Sequence, residues 1–282
     1  MRVGIIGDAR RAVAWENHLR PLNIVNEVVI APTLEDIGQV QACILLDETS
    51  ENLHLLIECI RQGLHTYLVS TLPVDKELLE KVYHTSEEAE VRVQFSHWPS
   101  ISSSTQWMIR QIPKPRFIQV IREKSHLHFT DNRENFHHHW IDEVALVTKW
   151  MAIQAHRVEP FALTLQQAEA GIQIYLKYES GATASIFYLA SGTEDRHRRL
   201  VNDKNLSVDL NVSDQTARLM KSNDQGGLVI EKKTFDPSKT AELSAIQFFK
   251  SVQLKKETIF TPYDALKTAD TVQKIRKHLG KP

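Results

Sequence analysis

The sequence has few cysteines, no long apolar run and almost no net charge. Its two cysteines, Cys43 and Cys59, fall in a predicted strand and a predicted helix, so we interpret them as buried thiols in a reducing cytosol. No apolar run approaches the ~20 residues that span a bilayer, and Met1 leads directly into a predicted strand. The net charge of −1 excludes the long-range attraction of a general nucleic-acid binder. We therefore expect a cytoplasmic protein that binds neither nucleic acid nor membrane.

Length and composition are those of an ordinary globular protein. Hydrophobic residues make up 42% of the chain and charged residues 24%, which suits neither a disordered segment nor a fibre. A chain of 282 residues can bury a substantial core, as two domains of ordinary size or as one large domain. Because the sequence contains no internal repeat and no low-complexity segment, its elements have to be deduced from hydrophobic periodicity.

The first hundred residues alternate between short apolar runs and segments with helical spacing. Apolar runs of this length are typical of strands buried on both faces of a parallel sheet. The helical segments between them indicate right-handed βαβ units. The pattern predicts a Rossmann-like dinucleotide-binding domain over residues 1–98. Its predicted strands are Arg2–Ile6, Glu27–Ile30, Gln41–Leu46, His65–Val69 and Val91–Phe95.

Beyond residue 98 the pattern changes to longer strands and fewer helices. The polar, proline-containing segment 97–105 has the composition of a crossing between domains. We predict an α+β domain over residues 99–282, with a mostly antiparallel sheet that contributes a substrate site or a homo-oligomer interface. The fold class is therefore α/β. The predicted strands are 117–129, 159–165, 171–178, 182–189, 205–212 and 216–221, and the main predicted helices are 137–153, 240–254 and 262–279.

The first strand is followed by an incomplete phosphate-binding turn. A complete version has Gly-x-Gly-x-x-Gly/Ala, whose free backbone N–H groups bind a cofactor's phosphates. This chain has Gly7, Ala9 and Ala12 at those positions, so a methyl group replaces the glycine that lets the backbone approach a pyrophosphate. Asp8 adds a negative charge where phosphate would lie, and Arg10 and Arg11 are placed to offset that charge.

A second candidate site lies on the predicted helix 137–153. His139 and Asp142 are three residues apart and share one helix face. In the functional interpretation His139 donates or accepts a proton, while Asp142 orients it or binds substrate. In the alternative interpretation they are a surface pair near the start of a helix, where an acid is favoured.

Two further clusters have weaker functional interpretations. The histidines 137–139 point in directions about 100° apart on a helix, so they cannot converge on one ion. His126 and His128 would join one of them only through tertiary folding, and we predict no metal site. The basic run 196–199 could bind an anionic substrate, but a solvated surface loop is the commoner explanation.

The order of elements resembles the Gfo/Idh/MocA family, which is named after glucose-fructose oxidoreductase and inositol dehydrogenase. The segment 3–7 resembles the family's opening strand, with Ala12 closing the turn. Thr49 and His54 match the family's segment along the cofactor, and His139-x-x-Asp142 matches the end of its substrate-site helix. The resemblance implies an oxidoreductase that uses NAD or NADP and acts on a sugar, a cyclitol or a similar small polar molecule.

The sequence departs from the family pattern in two further places. The family's Glu-Lys-Pro, whose lysine contacts substrate and nicotinamide, falls on residues 69–71 or 71–73, and neither register contains a lysine. The second strand ends in Ala31-Pro32, without the acid that accepts hydrogen bonds from the ribose of NAD. The alternative function is therefore a non-catalytic binding or regulatory protein that has lost the cofactor.

Overall fold

A computed structural model describes residues 1–46, 53–125, 133–165, 168–223 and 225–280 of the chain. The helices are α1 Ala9–Leu19, α2 Leu53–Arg61, α3 Lys76–Glu88, α4 Trp98–Ile101, α5 Ser103–Gln111, α6 Arg133–Met151, α7 Thr240–Gln253 and α8 Pro262–His278. The strands are β1 Arg2–Ile6, β2 Glu27–Ala31, β3 Ala42–Leu46, β4 His65–Val69, β5 Val93–Phe95, β6 Phe117–Ser125, β7 Arg157–Leu165, β8 Ala168–Lys177, β9 Thr183–Gly192, β10 Arg196–Asn202, β11 Leu206–Asn211, β12 Thr216–Ser222 and β13 Leu228–Thr234. Within these described ranges, no helix combines the length and apolar character needed to cross a lipid bilayer.

The chain divides into two compact units. The first comprises Met1–Ile101 and Ser238–Ala269, and the second comprises Ser102–Pro237 and Asp270–Pro282. This division differs from the predicted boundary at residue 98 in one main respect. Segment 238–269, which the sequence pattern assigned to the second domain, belongs to the first unit.

The first unit is built on a five-stranded sheet in the order β2-β1-β3-β4-β5. All four neighbouring pairs are parallel, and every residue of β3 is buried, as in a sheet that is covered on both faces. The predicted parallel sheet is therefore confirmed. The strand order reverses between β1 and β3, and sheets of this kind bind ligands at the carboxyl ends of the strands beside that reversal.

Helix α7 belongs to the first unit because its aromatic side chains complete the core. Ala245, Phe248 and Phe249 are fully buried in a cluster with Val3, Ile5 and other residues of the parallel sheet. The Tyr67 hydroxyl on β4 donates a hydrogen bond of 3.1 Å to Ser244 Oγ on α7. Segment 238–269 thus belongs to the first unit although residues 102–237 of the second unit precede it, which local hydrophobic periodicity cannot reveal.

The second unit contains an eight-stranded sheet in the order β13-β12-β11-β10-β6-β9-β8-β7. Its pairs are antiparallel except for the parallel pair of β6 and β9, which confirms the predicted mostly antiparallel sheet. Burial alternates along the whole of β9, because one face of the strand packs against α6 and the other does not. Two strands were missing from the prediction. The run 196–199 was interpreted as a loop but forms part of β10, and β13 was not predicted.

Candidate functional site

Gly7 ends β1 in a conformation that requires glycine. Its φ is +140°, a value that other residues rarely adopt. A Cβ atom at this position would lie 2.6 Å from the carbonyl oxygen of Leu46 and 2.7 Å from its Cβ. Ala12, on the first turn of α1, is fully buried and lets the helix pack closely on the sheet. The turn therefore has the compact shape that a dinucleotide-binding turn requires.

The side chain of Asp8 occupies the N-terminus of α1. Its Oδ1 accepts hydrogen bonds from the backbone N–H groups of Arg10 at 3.1 Å and Arg11 at 3.0 Å. The first N–H groups of a helix have no partner within the helix and are the groups that bind phosphate at such turns. The carboxylate of Asp8 thus stands in for a phosphate, and an entering pyrophosphate would have to displace it.

The other predicted cofactor residues lie at the edges of this turn or outside the described residues. Ala9 and Arg10 are exposed at the start of α1, and His54 is exposed on α2. Thr49 lies outside the described residues. Strand β2 ends at the buried Ala31, and the exposed Pro32 follows it, so no acidic side chain is present at the position of the expected ribose acceptor.

The two registers of the Glu-Lys-Pro resemblance put either Ser70 or the buried Leu72 at the position of the lysine. Beyond the end of β4, the backbone N–H of Ser70 donates to Ser96 Oγ at 3.0 Å, and Ser96 Oγ donates to the Ser70 carbonyl at 2.9 Å. Ser70 Oγ donates to the carbonyl of Thr71 at 2.7 Å. These bonds hold the ends of β4 and β5 together. The turn of the first unit therefore has a shape that fits a dinucleotide. The Asp8 carboxylate has to move away from the backbone N–H groups of Arg10 and Arg11 before a dinucleotide binds there.

In the second unit, polar side chains form a row across three neighbouring strands. In the strand register, Arg122 on β6 lies opposite Tyr188 on β9 and opposite His197 on β10. His139 and Glu143 of α6 both contact this row. The ring centroids of His139 and Tyr188 are 5.6 Å apart, and His197 Nε2 donates to Glu143 Oε1 at 2.9 Å.

His139 is held by the guanidinium group of Arg122. Arg122 Nη2 lies 2.7 Å from His139 Nδ1, and Nη1 donates to the His139 carbonyl at 3.1 Å. A guanidinium group can only donate hydrogen bonds, so Nδ1 of His139 is the acceptor and the ring proton is on Nε2. Burial, together with the charges of Arg122 and Lys124, lowers the pKa of His139 to about 3. His139 is therefore a neutral imidazole at physiological pH.

Asp142 is shifted in the direction that favours its protonated form. Burial raises the pKa of its carboxyl to about 7, with Glu143 contributing in the same direction. Arg122 and Arg199 oppose this shift but do not cancel it. Two titratable groups on one helix face thus have pKa values moved apart, an arrangement found at acid–base sites.

Glu143 is the centre of a buried ion-pair network. It is fully buried and accepts two hydrogen bonds from Arg199, from Nε at 2.9 Å and from Nη2 at 2.7 Å. Arg199 Nη1 also donates to Thr105 Oγ1 at 2.8 Å. Burial alone would raise the pKa of Glu143, but Arg199 and His197 outweigh it and hold the pKa well below its usual range. The pKa of His197 is lowered to about 4, mainly by burial.

Sequence reasoning missed Arg122, His197 and Arg199, whose charges act on His139 and Asp142. The run 196–199 was interpreted as a solvated loop or an anion site, yet Arg199 is 1% exposed and Arg198 forms two 2.6 Å hydrogen bonds to Asp209. Both interpretations are corrected by the strand in which the run lies. The alternation of His197, Arg199 and Val201 was a signal for a strand with one buried face, but it does not reveal which acid pairs with the arginine.

The metal hypothesis involved histidines that the structure describes only in part. His126 and His128 lie outside the described residues. Among the residues that are described, no group of three or more His, Cys, Asp or Glu side chains is arranged to hold a metal ion.

Comparison with known proteins identifies the fold. No family model matches the sequence, and no curated protein matches it. Among solved structures, UDP-N-acetylglucosamine 3-dehydrogenase GnnA from Acidithiobacillus ferrooxidans is similar with a TM-score of 0.85 at 11% identity, over 99% of this chain and 97% of that one. A dehydrogenase from Chromobacterium violaceum gives a TM-score of 0.80 at 12% identity, over 98% and 94% of the two chains.

A cyclitol enzyme has the same fold. The myo-inositol 2-dehydrogenase from Lactobacillus plantarum matches with a TM-score of 0.74 at 14% identity, over 100% of this chain and 98% of that one. At these identities the likeness concerns the fold. The chain therefore has the two-part fold of these dehydrogenases over its whole length.

Proposed function

We propose that this chain is a divergent NAD(P)-dependent oxidoreductase of the Gfo/Idh/MocA type that acts on a hydroxyl or carbonyl group of a small polar molecule. The observation that carries the proposal is the pair of His139 and Asp142 on α6, with pKa values displaced in opposite directions. A group that titrates near neutral pH beside a fixed hydrogen-bond donor suits chemistry at a carbinol carbon. The full-length likeness to sugar and cyclitol dehydrogenases supports the same class.

Each predicted site residue has a role in this proposal. Gly7, Ala9 and Ala12 shape the turn beneath the dinucleotide, and Arg10 offsets part of its phosphate charge. In the same proposal Thr49 and His54 flank the cofactor, and His139 and Asp142 face the substrate. The bound cofactor supplies the hydride acceptor or donor. A sugar or cyclitol is the proposed substrate class, because its hydroxyl groups match a site that offers both a donor and an acceptor.

A second candidate function is a non-catalytic binding or regulatory protein on the same fold. The observation that favours it is the hydrogen bonding of Asp8 to the N–H groups of Arg10 and Arg11, which leaves no free donor for phosphate at those positions. The family's lysine is also missing at the end of β4. In this case the site around His139 binds a small polar ligand without transforming it.

Titration with reduced cofactor distinguishes the two functions. Because Asp8 opposes phosphate, we expect NADH or NADPH to bind with a dissociation constant of roughly 0.1 mM or weaker. Ligand at ~10 times that constant stabilises the protein by about 1.4 kcal/mol, which raises the melting temperature by a few degrees. Differential scanning fluorimetry at millimolar cofactor measures this shift. No shift with either cofactor, combined with a shift from sugars or cyclitols, would contradict the oxidoreductase and favour the binding protein.

We also propose that the second unit's sheet forms a homo-oligomer interface. Phe161 on β7 is 55% exposed and Tyr175 on β8 is 43% exposed. Their rings contact edge to face with centroids 6.2 Å apart. In the strand register, Phe161 lies opposite Gln173. Tyr175 is two residues from Gln173 on β8, so the rings of Phe161 and Tyr175 project from the same face of the sheet. Exposed aromatic pairs of this kind are typical of the buried centre of an interface.

Sedimentation equilibrium tests the oligomer. The unmodified protein is expected to sediment as a dimer or larger assembly, and Phe161→Glu as a monomer, because a charge would be buried at the interface. Leu254→Glu is the matched control, since Leu254 is 61% exposed at the end of α7 and belongs to the first unit. A monomeric unmodified protein, or an equal effect of both substitutions, would exclude this interface.

A further inference from the structure

We propose that Arg122 is a positioning residue that fixes His139 as a neutral Nε2–H donor, and that Asp142 is the group that takes up and returns the substrate's proton. This inference rests on the proposed function and refines it. The sequence pattern had suggested proton transfer by His139, with Asp142 as its orienting partner. The geometry around Arg122 reverses those two roles.

The first step concerns the ring nitrogen that faces Arg122. Nδ1 of His139 lies 2.7 Å from Arg122 Nη2. Arginine stays protonated at all accessible pH values and has no acceptor atom. A protonated imidazole carries hydrogen on both nitrogens, so it would direct an N–H at the guanidinium group. His139 therefore cannot become an imidazolium while Arg122 remains in place, and only Nε2–H is left to meet a ligand.

The second step concerns what keeps Arg122 in place. Its other amino nitrogen donates to the backbone carbonyl of His139 at 3.1 Å, so the guanidinium group is tied to α6 as well as to the ring. Nη1 also lies 4.0 Å from Glu143 Oε1, within the electrostatic reach of a buried carboxylate. The Arg122 side chain is only 15% exposed. These contacts fix the position of the Arg122 guanidinium group in the folded second unit.

The third step concerns the other charged groups that face His139. Arg122 and Lys124 on β6, His138 on α6 and His197 on β10 all disfavour a positive charge on the ring. The hydroxyl of Tyr188 on β9 stays protonated, because burial raises its pKa to about 12. The surroundings of His139 thus agree with the hydrogen-bond geometry in keeping the ring neutral.

The fourth step concerns the group that remains for proton transfer. Asp142 is three residues from His139 on α6 and therefore on the same helix face. Asp142 keeps partial exposure, and burial, with a smaller contribution from Glu143, raises its pKa to about 7. A carboxyl group in this range holds and releases a proton at neutral pH, which is the requirement for a general acid–base group.

The chemistry balances with these roles. In the oxidation direction, the O–H bond of the substrate alcohol breaks and its proton passes to the Asp142 carboxylate. The C–H bond at the same carbon breaks, and its hydride passes to the oxidised nicotinamide dinucleotide. Nε2–H of His139 donates a hydrogen bond to the substrate oxygen throughout and transfers no proton.

Nuclear magnetic resonance of ¹⁵N-histidine-labelled protein tests the role of Arg122 without cofactor or substrate. The chain has 13 histidines, so His139→Gln identifies the signals of His139 by their loss. We expect a single Nε2–H tautomer that does not titrate between pH 5 and pH 8. An Nδ1–H tautomer, or a titration with a midpoint near 6.5, would overturn the proposal even if the protein binds NADH normally.

Substitution of Arg122 separates positioning from folding. In Arg122→Met the donor to Nδ1 and the neighbouring positive charge are lost, and the pKa of His139 is expected to rise above 3 while burial still holds it below 6.5. Arg122→Lys keeps the charge and one donor, so it should retain most of the shift. His138→Gln is the matched control on the same helix, and it should raise the pKa of His139 by less than Arg122→Met does, because His138 has a weaker effect on the ring than Arg122. A His139 pKa that stays near 3 in correctly folded Arg122→Met would contradict the role of Arg122.

Asp142→Asn tests the second half of the inference. A carboxyl whose pKa is raised on folding contributes stability that is present below its unfolded pKa and is lost as pH rises through its folded pKa. The asparagine variant should therefore gain in melting temperature relative to the unmodified protein as pH rises from 5 to 8. Carboxyl ¹³C shifts should show one aspartate titrating near pH 7 that disappears in Asp142→Asn. An Asp142 that titrates near 3.8 would overturn its role, whether or not the oxidoreductase function holds.

Discussion

Replacing Glu143 by alanine is expected to destabilise the protein by about 3–5 kcal/mol, because it leaves a buried arginine without its counter-ion. Arg199 is 1% exposed, and Glu143 accepts two of its hydrogen bonds. Once Glu143 is removed, Thr105 remains as a neutral partner of Arg199, and water reaches the guanidinium group only if the unit opens. Urea denaturation followed by circular dichroism measures the change in the free energy of unfolding.

Two controls identify the cause of this loss. The double variant Glu143→Leu with Arg199→Met removes both charges and should recover most of the stability, since apolar replacement of a whole buried pair is often neutral. Asp209→Ala breaks the ion pair between Asp209 on β11 and Arg198, which precedes Arg199 on β10. Because the Arg198 side chain is 43% exposed, this substitution should cost about 1 kcal/mol or less. A loss of similar size for Asp209→Ala and Glu143→Ala, or no recovery in the double variant, would contradict the buried-charge explanation.

Replacing Asp8 by alanine is expected to tighten the binding of NADH or NADPH roughly tenfold. The substitution frees the N–H groups of Arg10 and Arg11 and removes a negative charge from the helix N-terminus, where an anion's interaction is worth ~1 kcal/mol or somewhat more. Asp8→Asn keeps a neutral cap and should give an intermediate affinity. Isothermal titration calorimetry of the three proteins measures the series of dissociation constants.

Asp75 offers a matched control for the loss of a helix cap. Its carboxylate caps α3 by accepting from the N–H of Leu78 at 3.0 Å, so Asp75→Ala and Asp8→Ala should each cost ~1 kcal/mol of stability. Only Asp8→Ala should change cofactor affinity. Equal affinity in the unmodified protein and Asp8→Ala would show that Asp8 does not limit binding. Absence of binding in all variants would favour the non-catalytic protein.

Local pattern was sufficient for the strands of the first unit. Each of the five is a short apolar run, and four of them are buried, whereas the edge strand β2 is partly exposed. The turn at Gly7 and the charge of Asp8 could also be interpreted from the sequence, because the cap joins residues that are two and three positions apart. The position of α7 could not, because Phe248 packs on strands that precede it by more than 170 residues.

The sequence by itself determined the two-part α/β architecture and pointed to His139 and Asp142, because periodicity and helix spacing are local properties of the chain. Only the tertiary structure decided what surrounds those two side chains. Arg122 and His197 become neighbours because β6 pairs with β10 in the sheet, although 75 residues separate them in the chain. The packing of α6 on this sheet places the Arg122 guanidinium group against Nδ1 of His139. The pairing of β6 with β10 brings His197 and Arg199 to Glu143, the residue that follows Asp142 in the chain. The protonation of His139 and Asp142 therefore depends on burial and on tertiary neighbours, which no local pattern in the sequence contains.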